Sequence, residues 1–541
     1  MKLLTILILS TMSIFAQGIQ KGKPIVKRYD FHIITRDNVF LDCTKFVPTA
    51  PKPKDGWPVM LYCHGYGDSK ESELSTASDQ AQFGYITFAY SMRGQGFSKG
   101  LSNLISTVEM KDLFQVVDYI KKDPYADSTK IVILGASQGG IIPFMAACNG
   151  LQVLTVMTDL GTPDFASNWI VNGSIKMTFF WTVDYDTSIV RYSKNVDNLR
   201  DWALSKEIND WDSLVTNLPI DRDYMDKVSQ CSVPVLFTNA WQDRFFNANG
   251  MLQATQMLKA PFMAYIGAVD GHGADTSTSE NNFTSSWDNN WIKFWLNPTH
   301  TGMPDTSIYQ FASSRLPKIN GEWSFSHFSS KVWPPENYLP VKLYFHRGGK
   351  LDTLPGGSNI DSSGFRNNVS DRAFTMRQAV NVSFKGELFD SKVKKDILEF
   401  ETEPLKADLH LTGVPKLNFF YSSSADVCQF NAQIWEVTPK GDSAFVTRIN
   451  YTDRHYKPGQ IMNKEIIGAA YSHIFHKGDR IRVIFTNLDT QPYDLFLSSN
   501  PYVLPVLKNS LNKIYSGADR QSYIELPVHN TNGIISEGKV K

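Results

Sequence analysis

Between about Phe31 and Leu296, short apolar runs alternate with segments of helical periodicity. Six of the runs close on glycine or a polar turn: "PVMLYCHGYG", "YITFAYSMRG", "KIVILGASQGG", "LQVLTVMTDLG", "VPVLFTNAWQD" and "PFMAYIGAVDGHG". Such runs are typical of strands buried on both faces of a parallel sheet. The segments between them, for example "STVEMKDLFQVVDYIKKD", repeat apolar residues at helical spacing. This alternation predicts a doubly wound α/β sheet.

The pattern changes near residue 305. Beyond Pro304 the chain carries short alternating runs such as "VKLYFHRGG", "ILEFETEPL", "LNFFYSSS" and "RIRVIFTNL". Short strands separated by turns predict an all-β sandwich or jelly roll. Within this part, "GGKLDTLPGGSNIDSSGFRNN" is polar, rich in glycine and without periodicity, and is predicted to be a loop. We therefore predict an α/β domain over 17–304 and a β domain over 305–541.

The first residues, "MKLLTILILSTMSIFAQG", place Lys2 before an apolar stretch that ends at Phe15. The stretch is short for a membrane span and is followed by Ala16 and polar Gln17, a pattern typical of a secretory signal. We expect residues 1–16 to be a signal peptide and the mature protein to be secreted or periplasmic. No later apolar run is long enough to span a bilayer, so no membrane span is expected.

Composition limits the partners. A chain of 541 residues is too long for one hydrophobic core, so several domains are expected. Lys plus Arg and Asp plus Glu both number 54, which gives no electrostatic reason to expect nucleic acid or an anionic membrane as partner. The five widely spaced cysteines form neither a disulfide framework nor a zinc motif. No cofactor or metal is predicted, and the sequence carries no prediction of oligomeric state.

The segment Lys130–Gly150 contains the pattern G-x-S-x-G around Ser137. An apolar strand precedes it and a small-residue helix follows, which is the context of a nucleophile elbow in an α/β-hydrolase. The tight turn lifts the serine above the sheet, and glycines fit where the strand reverses into the helix. Ser137 is therefore the predicted nucleophile rather than a polar turn residue.

A nucleophilic serine needs a base and an acid that orients the base. In α/β-hydrolases these follow the serine in the order acid and then histidine, each at the carboxyl end of a strand. "VPVLFTNAWQD" ends in Asp243 and "FMAYIGAVDGHG" contains His272, so Ser137, Asp243 and His272 are the predicted catalytic triad. Asp159, one strand earlier, is a less favoured acid, and Asp270 less favoured still.

The oxyanion of an acyl-transfer intermediate needs donors that are placed in advance. One is expected to be the backbone N–H of Gln138, which follows the nucleophile. The second is expected from the loop "HGYG", where Tyr66 is the candidate through its N–H or its hydroxyl; the alternative is that Tyr66 only lines the site.

Together these segments resemble the Xaa-Pro dipeptidyl-peptidase and cocaine-esterase family of serine hydrolases. "HGYG" stands where that family places its oxyanion tyrosine, and "MRGQGFSKG", "GASQGG", "NAWQDRFF" and "IGAVDGHG" resemble its arginine-glycine turn, elbow, acid loop and histidine loop. "GEWSFSHFSSKVWPPENYLPVKLYF" and "KGDRIRVIFTN" resemble its C-terminal domain. The resemblance implies an α/β-hydrolase domain with a helical cap, followed by a galactose-binding-like jelly roll.

Two segments depart from the family pattern. Gln138 stands where the family usually has tyrosine, and Ser91 and Met92 precede Arg93 where an acidic residue is usual. "RGQ" and "GASQGG" instead resemble the carbohydrate acetyl esterases, although those enzymes lack the jelly roll and usually show His-Glu where this chain has His272-Gly273.

The aromatic-rich segment of about 164–231 interrupts the predicted sheet and is expected to be a cap over the active site. An exopeptidase would need a carboxylate there to hold the substrate ammonium. The carboxylates available are Asp164, Asp184, Asp186, Glu207 and Asp210.

Three functions follow from these patterns. The first is a secreted serine hydrolase of the dipeptidyl-peptidase and cocaine-esterase type that cleaves a small ester or short peptide through an acyl-serine. The second is a carboxylesterase or deacetylase without peptidase activity. The third is a carbohydrate-binding protein built on an inactive hydrolase, against which the ordered triad argues.

Overall fold

The computed structural model describes residues 26–183, 188–205, 207–270, 272, 278–297, 307–319, 322–368, 396–489, 501–506 and 508–529. The predicted signal peptide, residues 1–16, lies outside these residues. Within the described part of the chain, no helix combines the length and apolarity needed to cross a bilayer.

The first part of the chain folds around a predominantly parallel sheet. Its strands are β1 (Val26–Ile34), β2 (Phe40–Pro48), β3 (Trp57–Cys63), β4 (Ile86–Tyr90), β5 (Ala126–Ala136), β6 (Thr155–Asp159), β9 (Val235–Gln242) and β10 (Phe262–Asp270). They pair in the order β1-β2-β4-β3-β5-β6-β9-β10, with β1 and β2 antiparallel at one edge. All six apolar runs quoted above contain strands of this sheet, so the predicted α/β class is confirmed.

Helices cover both faces of the sheet: α1 (Leu74–Ala81), α2 (Thr107–Ile120), α3 (Gln138–Cys148), α8 (Asn249–Met257) and α9 (Thr278–Leu296). The start of α2 is fixed by a capping box, in which the Ser106 hydroxyl accepts from Val108 N–H and Glu109 accepts from Ser106 N–H. Helix α3 is apolar on all sides because it is buried throughout its length.

The predicted cap lies between β6 and β9. It contains α4 (Phe165–Asn168), β7 (Ile170–Val171), β8 (Ser174–Ile175), α5 (Met177–Val183), α6 (Lys194–Leu204) and α7 (Ile208–Asn217). An aromatic cluster of Phe165, Trp169, Phe179 and Phe246 joins this segment to the loop that follows β9. The apolar residues of the segment thus form part of the core beside the site.

The second part of the chain is all β. Its strands are β11 (Ile308–Ile319), β12 (Glu322–Ser330), β13 (Leu339–His346), β14 (Lys350–Asp352), β15 (Asp361–Asn367), β16 (Ile397–Glu401), β17 (Leu409–Gly413), β18 (Lys416–Ser423), β19 (Cys428–Val437), β20 (Ser443–Asp453), β21 (Met462–Ile467), β22 (Tyr471–Phe475), β23 (Arg480–Thr486), β24 (Ser510–Ser516) and β25 (Tyr523–His529). The predicted second fold class is confirmed.

The prediction of a loop over 348–368 is wrong. Strands β14 and β15 lie in it, and β15 pairs with β24 over seven residues, from Asp361↔Ser516 to Asn367↔Ser510. Most side chains of β15 are exposed or half-buried, so this strand depends on its backbone pairing and shows little hydrophobic alternation.

The two parts share hydrogen-bonded strands. Strand β11 runs parallel to β10, from Met263↔Ile308 to Ile266↔Phe311, and further along it pairs with β22. The indole N–H of Trp241, near the end of β9, donates to the carbonyl of Ala312 on β11. Strands β9 and β10 of the α/β domain are therefore packed directly against the β domain.

Candidate active site

Ser137 lies in a strained turn between β5 and α3. Its backbone has φ 54° and ψ −122°, an uncommon conformation for a residue with a side chain. The turn is held by the Ser137 N–H, which donates to the carbonyl of Asp159 at 2.8 Å. A β-carbon on Gly139 would lie 1.9 Å from the carbonyl oxygen of Cys63, so only glycine allows α3 to start this close to β3. This is the geometry of a nucleophile elbow.

Asp243 and His272 form a hydrogen-bonded pair. Asp243 is buried just beyond β9, and its Oδ1 accepts from the backbone N–H groups of Phe245 at 2.7 Å and Phe246 at 2.8 Å. Its Oδ2 lies 2.8 Å from Nδ1 of His272. Because an ionised carboxylate only accepts, Nδ1 of the neutral ring carries the proton and Nε2 is left as the acceptor. The Phe245 ring packs on the imidazole with 4.4 Å between centroids.

The serine and the pair lie at the same edge of the sheet, because β5, β6, β9 and β10 are adjacent parallel strands and each residue follows the carboxyl end of its strand. Among the described hydrogen bonds, none joins the Ser137 hydroxyl to His272. Such contacts are often long in enzymes without substrate and tighten in the complex.

Asp159 does not bond His272 in this structure. Its carboxylate accepts from the hydroxyl of Thr238 at 2.5 Å. Burial raises the pKa of Asp159 to about 6, with Asp243 adding to the rise and Thr238 and His272 opposing it. Burial raises the pKa of Asp288 on α9 to about 7, and the nearby carboxylate of Asp159 adds to the rise. Sequence reasoning missed Asp288, which lies within an aromatic helix, and the side chain of Asp270 lies outside the described residues.

Gln138, which departs from the family pattern, and Gln95 of the "RGQ" segment bind each other. Gln138 is buried at the start of α3, and its Oε1 accepts from Nε2 of Gln95 at 3.0 Å. Oε1 of Gln95 in turn accepts from the backbone N–H of Gly67 at 2.8 Å. The pair therefore ties the turn at Ser137 to the "HGYG" loop.

His64 and Arg93 are held in structural contacts. His64 accepts from Met92 N–H through Nε2 and contacts the carbonyl of Gly65 through Nδ1, and burial lowers its pKa. The guanidinium of Arg93 binds Asp112 twice at 2.6 Å and also reaches Asp37. These contacts fix the turn that presents Gln95.

The Tyr66 hydroxyl is buried beside Ser102 and beside Tyr192 of the cap. Burial and Tyr192 raise its pKa, whereas a hydrogen bond with Ser102 lowers it. Tyr66 lies in the "HGYG" loop that Gln95 ties to the turn at Ser137, and its role in an oxyanion hole stays a prediction.

Two of the cap carboxylates named above lie outside the described residues, Asp184 and Asp186. Asp164 is half-buried just before α4 and accepts from the Thr162 hydroxyl, and desolvation of its carboxylate raises its pKa. Glu207 is exposed. Across the described ranges, His, Cys, Asp and Glu side chains form no group of three or more suited to a metal ion. All five cysteines are buried free thiols.

Family models match both halves of the chain. The model of the X-Pro dipeptidyl-peptidase (S15 family) matches residues 37–270, and that of the X-Pro dipeptidyl-peptidase C-terminal non-catalytic domain matches residues 315–525. Cocaine esterase from Rhodococcus sp. (strain MB1 Bresler) is 27% identical over 576 residues, covering 91% of this chain and 97% of the esterase.

Solved structures show the same fold over most of the chain. A CocE/NonD family hydrolase from Staphylococcus aureus has a TM-score of 0.68 at 13% identity, with 93% of each chain covered. An α-amino acid ester hydrolase has a TM-score of 0.66 at 14% identity, with 96% of this chain and 100% of that chain covered.

The fold and these matches define an α/β-hydrolase with an appended jelly roll, and the protein is a serine hydrolase. The chain belongs to the X-Pro dipeptidyl-peptidase and cocaine-esterase family.

Proposed function

We propose that the protein hydrolyses a small acyl substrate through Ser137, His272 and Asp243. The observation that carries the proposal is the 2.8 Å bond between His272 Nδ1 and Asp243, at the sheet edge where the strained turn presents Ser137. The bond leaves Nε2 of His272 free to accept the serine proton.

In the first half of the reaction, His272 Nε2 takes the proton of Ser137 as Oγ attacks the substrate carbonyl carbon. The tetrahedral oxyanion accepts hydrogen bonds from the N–H of Gln138 and from Tyr66. Asp243 stabilises the imidazolium that forms, and the imidazolium then gives its proton to the leaving group. The product of this half is an acyl ester on Ser137.

In the second half, a water molecule gives a proton to His272 Nε2 and attacks the acyl carbon. The second tetrahedral oxyanion uses the same donors. Collapse returns the proton to Ser137 Oγ and releases the acid.

Esters of small acids are the proposed substrates, because the full-length relative at 27% identity is an esterase. Peptides with proline at the second position are a second candidate, favoured by the match to the X-Pro dipeptidyl-peptidase model. Comparing kcat/KM for p-nitrophenyl acetate and for Ala-Pro-p-nitroanilide separates the two. Faster turnover of the ester with no release of nitroaniline supports the ester, and efficient cleavage of the anilide supports the exopeptidase.

A fluorophosphonate probe tests whether the site is active at all. The probe should label the wild-type protein at Ser137 and should not label S137A. A folded wild-type protein that resists the probe and binds a polysaccharide would instead support the carbohydrate-binding alternative.

We also propose that the protein is exported after cleavage behind Ala16, which rests on the apolar pattern of residues 1–16. N-terminal sequencing of the protein recovered outside the cytoplasm should begin at Gln17. An intact Met1 on protein confined to the cytoplasm would contradict export.

A further inference from the structure

Lys176 is a completely buried lysine at the junction of the cap and the jelly roll. It follows β8, and its neighbours are hydrogen-bonded across the junction: Met177 N–H donates to the carbonyl of Tyr502 at 2.9 Å, and Leu504 N–H donates to that of Ile175 at 2.8 Å. The side chain therefore starts from a backbone position that the jelly roll fixes.

The ammonium group of Lys176 has partners in both halves of the molecule. Its Nζ donates to the side-chain oxygen of Asn168 at 2.8 Å and to the backbone carbonyl of Phe245 at 3.1 Å. It also lies 5.2 Å from the centre of the Tyr502 ring, within the range of a cation–π contact. The guanidinium of Arg448 also lies over this ring, 3.9 Å from its centre.

These bonds reach the segment 243–247, which we call the acid loop. Phe245 gives its N–H to the catalytic carboxylate of Asp243, packs its ring on His272, and gives its carbonyl to Lys176. Asn168 also accepts from the N–H of Asn247 at 3.0 Å, at the other end of the loop. The lysine thus binds the same peptide segment that orients the acid and the histidine.

The charge of Lys176 depends on burial and on three charged groups around it. Burial lowers its pKa to about 7. Asp243 of the acid loop and Asp164, just before α4, favour the cation, and Arg448 of β20 opposes it. The remaining neighbour of the ammonium group is the Tyr502 ring. A buried cation is costly unless it is bonded, and an apolar side chain in its place would avoid that cost. Its presence therefore points to a role that needs the positive donor.

We propose that Lys176 is a positioning residue, whose ammonium ties the jelly roll to the acid loop and holds Asp243 and His272 in register. The inference rests on the proposed triad. In this proposal the jelly roll does more than pack against the α/β domain, because Tyr502 helps to hold the catalytic groups in place.

The test compares K176M with wild type, with K227M as the control at a lysine whose side chain is 43% exposed. K176M should lower kcat for p-nitrophenyl acetate about ten- to a hundredfold with little change in KM, because misplaced catalytic groups affect the chemical step. In wild type, kcat/KM should fall again above about pH 7 as Lys176 loses its proton. This descending limb should be absent in K176M, and K227M should match wild type throughout.

A readout that does not need turnover is the downfield proton resonance of His272 Nδ1–H in its bond with Asp243, identified by its loss in H272A. In K176M this resonance should weaken through exchange with solvent. If wild type hydrolyses no substrate, the resonance still tests the role of Lys176. If wild type is active and K176M keeps both kcat and the resonance, the inference is wrong while the proposed function stands.

The jelly-roll side of the contact gives a second route if K176M does not fold. Y502L removes the ring and should lower kcat and weaken the resonance in the same direction, whereas Y502F keeps the ring and should retain both. Equal behaviour of Y502L and Y502F, both at the wild-type level, would overturn the proposal.

Discussion

Ser137 holds a backbone conformation that an L-residue adopts at a cost of about 1–3 kcal/mol. The surrounding structure maintains it through the bond to the Asp159 carbonyl and the close approach of Gly139 to Cys63. Strain at a residue that also carries the predicted nucleophilic hydroxyl is consistent with a functional turn, because a turn without such a role could relax by accepting glycine.

Replacing Ser137 tests both features. S137A should reduce kcat at least about 10⁴-fold, because no other group supplies the nucleophile. S137G should be equally inactive yet more stable than S137A by about 1 kcal/mol, since glycine accepts positive φ without strain. Initial rates and chemical denaturation of both variants check this. Substantial activity of well-folded, purified S137A would remove the assignment.

The choice of acid is tested by two matched substitutions. D243N should lower kcat about 10⁴-fold, because an amide no longer selects the tautomer that leaves Nε2 as acceptor. D159N should lower it about tenfold or less, since Asp159 bonds Thr238 instead of the histidine. Steady-state kinetics of the pair decide the point, and the opposite ranking would move the acid to the end of β6.

The pH profile tests the base. From acid pH upward, kcat/KM should rise through a single ionisation, because only neutral imidazole accepts the serine proton. H272A should remove this rise with most of the activity, and EDTA should leave the wild-type rate unchanged. A loss in EDTA that zinc restores, together with a flat acid limb, would replace the serine mechanism by a metal-bound hydroxide.

At the scale of single residues, sequence alone predicted the groups that follow strands and missed those that reach the site from elsewhere. Asp243 and His272 could be predicted because strand ends meet at one edge of a parallel sheet. Lys176 and Asp288 could not, because their proximity to the site depends on how the cap and α9 pack. No local spacing encodes either contact.

The nucleophile turn and the "HGYG" loop act as one unit at the scale of elements. Gln138 on α3 binds Gln95, and Gln95 binds Gly67 N–H, so three separate segments converge beside Ser137. Sequence analysis identified Gln138 as a departure from the family pattern and Gln95 as part of the "RGQ" resemblance, but could not pair them, because they are separated by 43 residues.

This pairing predicts non-additive effects. Q95A and Q138A should each lower kcat about tenfold. Without the glutamine pair the "HGYG" loop loses its attachment to the turn at Ser137, and the oxyanion hole is less well placed. The double variant should be no slower than the worse single variant, since both lose the same contact. A double-mutant cycle with p-nitrophenyl acetate measures the coupling, and simple multiplication of the two losses would show that the glutamines act separately.

Element prediction failed where backbone pairing outweighs side-chain pattern. The apolar runs of β3, β5 and β9 were recognisable because these strands are buried on both faces. Strand β15 was not, since most of its side chains are exposed or half-buried and its sequence "DSSGFRN" resembles a loop. Its position is determined by the pairing partner β24, which follows it by well over a hundred residues in the chain.

At the scale of the whole molecule, the two predicted domains are bound by more than a linker. Strand β11 pairs with both β10 and β22, and Trp241 donates to Ala312 across the boundary. On the cap side, Arg454 and His455 both contact the carboxylate of Asp212 on α7. The sequence predicted a change of fold class near residue 305, and no pattern in it indicated that the two classes share strands.

Such continuity predicts that both halves unfold together. Differential scanning calorimetry should give one transition whose calorimetric and van't Hoff enthalpies agree.

Asn249 provides the specific test, because its side chain donates to Gly468 O at 2.9 Å and accepts from Ala470 N–H at 2.7 Å across the domain boundary. N249A leaves both backbone groups without this partner, which should cost about 1–3 kcal/mol and lower Tm by a few degrees while preserving a single transition. N209A, at an exposed position of α7, is the control and should leave Tm nearly unchanged. Two resolved transitions in wild type, or an N249A protein in which only one half loses stability, would show that the shared strands do not couple the halves.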